Sequence, residues 1–287
     1  LYSLGVRQFG ISYDDLGGYV NGQQHADLIN RVNREWVKVK GDVDPLIVVG
    51  TRYCNGWGPD MQTYFKPFFS TLDDDVVVMW TGANTMSAIT KDAYEWPKTQ
   101  TGVTDKNLAA WWNYPVNDYC DGNLMMSPLE NLDTDVDNLS GFFLNPMSQA
   151  EASKVAIFSG ADYSWNTEAY DYDKSFKDSI TNIYGDLAPY MYTFANHSTR
   201  LVAGWASTGR ADAPEVRALM DEFIKKNAKG QDASAEIEAL TTEFDNMILA
   251  ADKLQELLPA DQLSHCDANL NKLRSLGEND KLALELF

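Results

Sequence analysis

Positive charge and histidine are scarce in this sequence. Lys and Arg number 23 against 42 Asp and Glu, leaving a formal net charge of −19. There is no basic stripe to neutralise phosphates, which argues against a nucleic-acid partner. The three histidines, His25, His197 and His265, are scattered along the chain. Neither a histidine-based triad nor a metal cluster is expected from them. Cysteine is as sparse: Cys54, Cys120 and Cys266 are odd in number and form no C-x-x-C, so a disulfide framework and a zinc site both lack support. No apolar run approaches the ~20 residues that a membrane helix needs. Walker A, G-x-S-x-G and H-E-x-x-H motifs are missing as well. Asp133-x-Asp135-x-Asp137 begins like a calcium loop but lacks its glycine and closing glutamate.

What the chain does have is 44% hydrophobic and 12% aromatic residues, ample for a core. Val6 to Ser12 read as a strand that runs out into Tyr13-Asp14-Asp15-Leu16-Gly17-Gly18. His25 to Lys40 carries Leu28, Val32 and Trp36 at helical spacing. Short apolar runs follow at 45–50, 75–82, 108–113 and 141–146, with helical segments near 64–72 and 149–163 and a helix or loop at 84–98 between or after them. Continuous apolar runs of this length fit strands buried on both faces, as in a parallel sheet. Strand alternates with helix, and each strand ends in polar or aromatic residues, as in a (β/α) barrel or a doubly wound sheet. Five consecutive strand ends of this kind favour the barrel, where all face one mouth. From about Asp171 only helical stripes appear. Phe176 to Leu187 form the first. Val216 to Ile224 lie behind an Asp212-Ala213-Pro214-Glu215 capping box, and Ile237 to Leu258 follow. Leu263 to Leu276, ending at Gly277, complete a helical bundle. Residues 204–213 read as a loop between its helices. The expected domains are therefore 1–170, the barrel part, and 171–287, the bundle.

Adjacent carboxylates in a pocket raise each other's pKa, and the pair splits into one charged and one protonated member. That split suits glycosidic cleavage, which needs a proton for the leaving oxygen and a negative group near the developing positive charge. Strand neighbours point to opposite sides, so Asp14 and Asp15 converge only where the backbone curls, and Leu16-Gly17-Gly18 allows that curl. Trp80, Trp112 and Trp165 sit at element ends, where aromatic faces stack on sugars. Trp111 is read as core, pointing away from Trp112. Tyr53, Asn113, Asp118 and Asn145 supply the donors and acceptors that a polyol needs.

Phe-Gly-Ile-Ser-Tyr-Asp-Asp, Trp-Thr-Gly, Trp-Trp-Asn-Tyr-Pro-Val-Asn-Asp-Tyr, Phe-Leu-Asn-Pro-Met and Tyr-Ser-Trp-Asn occur in this order over residues 5 to about 170. Together they resemble glycoside hydrolase family 84, the bacterial β-N-acetylglucosaminidases related to O-GlcNAcase and hyaluronidase-type toxins. The resemblance implies a (β/α)8 TIM barrel, of which only strands 4–8 are present, followed by an all-α helical bundle. It implies a retaining exo-β-N-acetylglucosaminidase in which the substrate's own acetamido oxygen attacks the anomeric carbon and forms an oxazoline. Asp14 then orients the acetamido group, and Asp15 acts as general acid and then general base. Tyr53, Thr81 and Trp112 line the acetamido pocket, and Asn113 supports the acid pair. Asp118 and Asn145 bind hydroxyls, and Trp165 stacks near the sugar. No cofactor is implied. The expected partners are GlcNAc-bearing glycans or glycoproteins and the missing N-terminal part of the barrel, as a separate or cleaved chain. The expected setting is secreted or cell-surface. The rival readings are a non-catalytic glycan-binding protein on the same scaffold, a two-carboxylate glycosidase without acetamido participation, and an interaction module built on the bundle.

Overall fold

The chain was described from a computed structural model that covers residues 1–18, 20–103, 106–120, 122–136, 139–199 and 211–286. These residues fall into two compact units. One consists of Leu1–Asn113 and Asn131–Leu144; the other comprises Tyr114–Glu130 and the residues from Asn145 onward.

Five strands, β1 (Gly10–Ser12), β2 (Ile47–Val49), β3 (Val77–Trp80), β4 (Asn107–Pro115) and β5 (Leu139–Asn145), form one sheet in chain order. The pairs β1–β2, β2–β3 and β3–β4 are parallel, with Ile11 beside Val48, Val48 beside Val78 and Val78 beside Leu108. β1 is shorter than its sequence pattern suggests. Arg7 and Gln8 are drawn out of the strand, donating to the Asp42 carboxylate at 2.8 Å and to the Pro45 carbonyl at 2.6 Å.

Between the strands run α1 (Gly22–Val32), α2 (Lys38–Lys40), α3 (Lys66–Thr71) and α4 (Lys91–Thr101), with π-helical turns at Asn33–Val37 and Met61–Phe65. α1 begins earlier than its apolar spacing suggests, because the Asn21 side chain caps it, accepting the Gln24 N–H at 3.0 Å. Parallel register gives the sheet two distinct faces. Val48, Val78, Leu108 and Ala110 are buried on the face that meets the helices, together with Ile29, Phe65, Phe68 and Phe69. Trp80 belongs to this face. Its ring stacks on Trp96 at 6.0 Å and meets Phe65 edge-on at 5.7 Å, and its Nε1 donates to the Asn55 Oδ1 at 3.2 Å. The sequence reading of Trp80 as a sugar-stacking group is therefore corrected: it is helix-layer core.

The second unit holds α5 (Ala150–Trp165), α6 (Tyr172–Tyr184), α7 (Ala188–Asn196), α8 (Pro214–Ala228), α9 (Ser234–Leu257), α10 (Ala260–Ser264) and α11 (Asp267–Leu284). Leu240, Phe244, Met247, Ala251 and Leu254 of α9 and Leu270 and Leu273 of α11 supply its buried apolar core. Two expectations fail here. The capping box at Asp212 is not formed, since the Asp212 carboxylate accepts the Thr199 N–H at 2.7 Å and α8 starts behind Ala213 without a side-chain cap. Gly277 does not end a helix either. It sits inside α11, where an added Cβ would lie 2.8 Å from the Phe244 carbonyl oxygen, so its lack of a side chain lets α11 close on α9. Of the expected loop at 204–213, residues 204–210 lie outside the described residues.

Candidate active site

β1 ends at Ser12, and the chain turns at once. The Tyr13 N–H still donates to the Val49 carbonyl at 3.0 Å, continuing the pairing with β2 by one residue. Asp14 follows, half-buried, with the Ser12 hydroxyl donating to its carboxylate. Asp15 is exposed and adopts φ 56°, the left-handed region that an aspartate tolerates better than most side chains.

Tyr53, beyond the end of β2, is buried and reaches toward this turn. Its hydroxyl donates to Asp15 Oδ1 at 3.5 Å, a long bond. Burial pushes the Tyr53 phenol pKa up, and the Asp15 and Asp14 charges add to the rise, so the hydroxyl keeps its proton and remains a donor. Thr81, just past β3, fixes this segment. Its N–H donates to the Tyr53 carbonyl at 3.0 Å, and its hydroxyl donates to the Asn84 carbonyl at 2.7 Å. The Thr81 hydroxyl is thus committed to the protein backbone and does not line the cleft as a free donor.

Strand parity decides the tryptophans. Met79 pairs with Ala109, so Met79, Ala109, Trp111 and Asn113 share the sheet face opposite the helices. The Trp111 ring meets Tyr53 edge-on at 5.4 Å and packs against the Val49–Tyr53–Cys54 cluster. Trp112 is buried to 4% exposure on the helix side, and its Nε1 finds no hydrogen-bond partner among the described residues. The sequence reading of this pair is reversed: Trp111 belongs with the acid turn and Trp112 with the core. Period-two parity held the signal, because Asn113 and Trp112 cannot both face the mouth from one strand.

The first unit thus brings together Asp14, Asp15, Tyr53 and Trp111, with half-buried Asn113 on the same strand face. Asp118, Asn145 and Trp165 lie in the second unit. There, Asp118 is exposed in a turn closed by the Cys120 N–H donating to the Asn117 carbonyl at 2.8 Å. Asn145 ends β5, and its carbonyl accepts the Val116 N–H at 2.8 Å. Trp165, the last residue of α5, is 92% exposed. Sequence reading also passed over Arg52, which is held between the Asp60 carboxylate and the Trp57 ring, 4.6 Å from its centroid. Among the described residues no cluster of His, Cys, Asp or Glu could hold a metal ion.

A family model described as beta-N-acetylglucosaminidase matches residues 1–196. The chain belongs to this family, glycoside hydrolase family 84. A second model, described as hyaluronidase post-catalytic domain-like, matches residues 215–287. Among solved structures, CpGH84B is 36% identical with a TM-score of 0.89, and CpGH84D is 30% identical with a TM-score of 0.87. Each match covers 99% of this chain, but 50% of CpGH84B and 47% of CpGH84D, so the chain spans about half the length of these relatives. A mutant of the O-GlcNAc hydrolase from Thermobaculum terrenum matches at 20% identity with a TM-score of 0.82, covering 99% of this chain and 62% of that one, and shares the fold. The five-stranded sheet is accordingly part of a family 84 TIM barrel, followed by the helical region.

Proposed function

We propose that this chain carries the acid-bearing part of a β-N-acetylglucosaminidase that removes terminal β-linked GlcNAc with the help of the substrate's own acetamido group. The observation that carries the reading is the turn at Asp14–Asp15, which sets two adjacent carboxylates beyond a strand end with the Tyr53 hydroxyl directed at the second.

In the first step Asp15 gives its proton to the glycosidic oxygen while the acetamido oxygen attacks the anomeric carbon from the opposite face. The C–O bond to the aglycone breaks, an oxazoline forms, and Asp14 accepts the acetamido N–H that becomes acidic as the ring closes. In the second step Asp15, now a carboxylate, takes a proton from water as that water opens the oxazoline. Tyr53 stays protonated through both steps and donates toward Asp15 or the acetamido oxygen. Trp111 walls the acetamido methyl, and Asn113 supports the acid pair. Thr81 holds the Tyr53 segment.

The test is hydrolysis of a chromogenic N-acetyl-β-glucosaminide by the complete barrel, beside Asp15→Asn and a series of N-fluoroacetyl substrates. Loss of about two orders of magnitude or more in Asp15→Asn is expected, with rates falling as fluorine weakens the acetamido oxygen. Turnover indifferent to fluorination would replace the acetamido route with a two-carboxylate one. Binding without turnover would favour a glycan-binding protein.

A further inference from the structure

Behind the acid turn lies a closed loop of contacts, all within the first unit. Tyr13, which immediately precedes the pair, is tied at both ends of its main chain. Its N–H donates to the Val49 carbonyl at 3.0 Å, and its carbonyl accepts the Thr51 hydroxyl at 2.7 Å. The Thr51 N–H in turn donates to the Tyr64 hydroxyl oxygen at 2.8 Å. That oxygen also lies 3.1 Å from His25 Nδ1, within hydrogen-bonding distance. Burial lowers the His25 pKa and pushes that of Tyr64 up to about 12. The His25 ring lies against the Tyr13 ring, centroids 4.3 Å apart, and closes the loop where it began.

The loop has no slack. A Cβ on Gly50 would stand 3.1 Å from the Tyr64 hydroxyl, and one on Gly22 would stand 2.0 Å from the Tyr64 carbonyl oxygen. Such rigidity answers a need. A non-glycine residue in the left-handed region persists only where its surroundings over-determine it, and Asp15 is such a residue two positions beyond Tyr13.

We propose that Thr51 and Tyr64 are positioning residues for the general acid, locking the Tyr13 peptide so that the turn presents Asp15 to the leaving group. This inference rests on the proposed glycosidase reading and adds to it residues that touch no substrate.

Thr51→Val, Thr51→Ser and Tyr64→Phe test it on two substrates, a phenyl and a dinitrophenyl N-acetyl-β-glucosaminide. The dinitrophenolate leaves without a proton, so a misplaced general acid spares it. Thr51→Val is expected to lower kcat on the phenyl substrate by about tenfold more than on the dinitrophenyl one, with KM little changed. Thr51→Ser restores the hydroxyl and both rates, and Tyr64→Phe shows the same leaving-group signature as Thr51→Val. Equal losses on the two substrates, unaltered rates, or no rescue by serine would overturn the proposal. If the wild-type barrel hydrolyses neither substrate, the glycosidase reading fails and amide hydrogen exchange decides the latch. Exchange at Tyr13 and Asp14 that is about tenfold faster in Thr51→Val than in Thr51→Ser upholds it. Equal exchange refutes it.

Discussion

Gly22→Ala is the substitution by which the packing behind the acid turn is best judged. Gly22 opens α1, and a Cβ there would stand 2.0 Å from the Tyr64 carbonyl oxygen, 2.8 Å from its carbon and 2.9 Å from its Cα. Ordinary contact begins near 3.4 Å, and the atoms met are backbone, so no rotamer change relieves the clash. Either α1 or the Tyr64 segment has to move. Overpacking of this kind costs roughly 1–3 kcal/mol, and an obstacle of backbone atoms belongs at the upper end. Against this, alanine gains up to about 1 kcal/mol over glycine in helix propensity, and less than that in the first turn. The net expectation is a loss of about 2 kcal/mol. For a domain of this size that corresponds to roughly 4–8 °C in Tm, read by calorimetry or circular dichroism. Gly17→Ala is the control, since nothing lies within 4 Å of its added Cβ, and it should melt within about a degree of wild type. The displaced Tyr64 would also slacken the bonds to Thr51 and His25, so activity should fall together with Tm. A Gly22→Ala protein that melts like wild type, or a Gly17→Ala protein that loses as much, would refute the reasoning.

Two further outcomes are expected. Trp111→Ala removes the ring that meets Tyr53, an aromatic pair worth about 0.5–1.5 kcal/mol, and should lower kcat/KM by up to about tenfold, while Trp112→Phe leaves kcat/KM within about threefold; steady-state kinetics would expose the opposite ranking. Asp280 faces Met220, Phe223, Ile224, Leu240 and Phe244, and burial raises its pKa above the ordinary 3.8, with nearby His197 opposing the rise. A carboxyl with a raised folded pKa supports the fold while protonated and loses that support as pH climbs through the folded value, so Asp280→Asn should raise Tm near about pH 7 and progressively less toward about pH 3, by thermal melts across pH.

Much of the fold was legible because burial on two faces leaves unmistakable runs. Ile47-Val48-Val49 and Val77-Val78-Met79-Trp80 announce parallel strands, and the alternation with helices announces a barrel segment. The acid turn was less legible alone, since two aspartates before two glycines read as well as a solvated turn; the aromatic and polar groups at the other strand ends singled it out. What the pattern could not reveal were distances set by tertiary packing. Gly277 reads as a helix stop in any local scheme, yet in α11 it marks the close approach to α9. Asp212 reads as a cap, yet Thr199 claims its carboxylate. Trp80 reads as a ligand platform because it ends a strand, while its parity with Val78 consigns it to the helix layer. The Thr51–Tyr64–His25 loop lay beyond sequence reading altogether. Its members are ordinary residues separated by up to 39 positions, joined only once the sheet brings their segments side by side.

The turn itself shows how one strand delivers two neighbouring carboxylates. Successive residues of a strand point to opposite faces, so Asp14 and Asp15 would diverge if β1 simply continued. Pairing to β2 instead stops at Tyr13, whose carbonyl turns to the Thr51 hydroxyl. Asp14 is then held from its own strand by Ser12, and Asp15 leaves regular geometry for φ 56°. The curl expected of Gly17 and Gly18 is thus already made at Asp15, with Gly18 adding its own positive φ of 81° three residues later. A left-handed conformation costs a residue with a Cβ roughly 1–2 kcal/mol, which glycine at position 15 would avoid only by giving up the carboxylate. The strain is confined to the residue whose carboxylate the proposed chemistry requires. The bonds that offset it come from Thr51 and Tyr64, so stability and proton transfer at this site depend on the same few contacts.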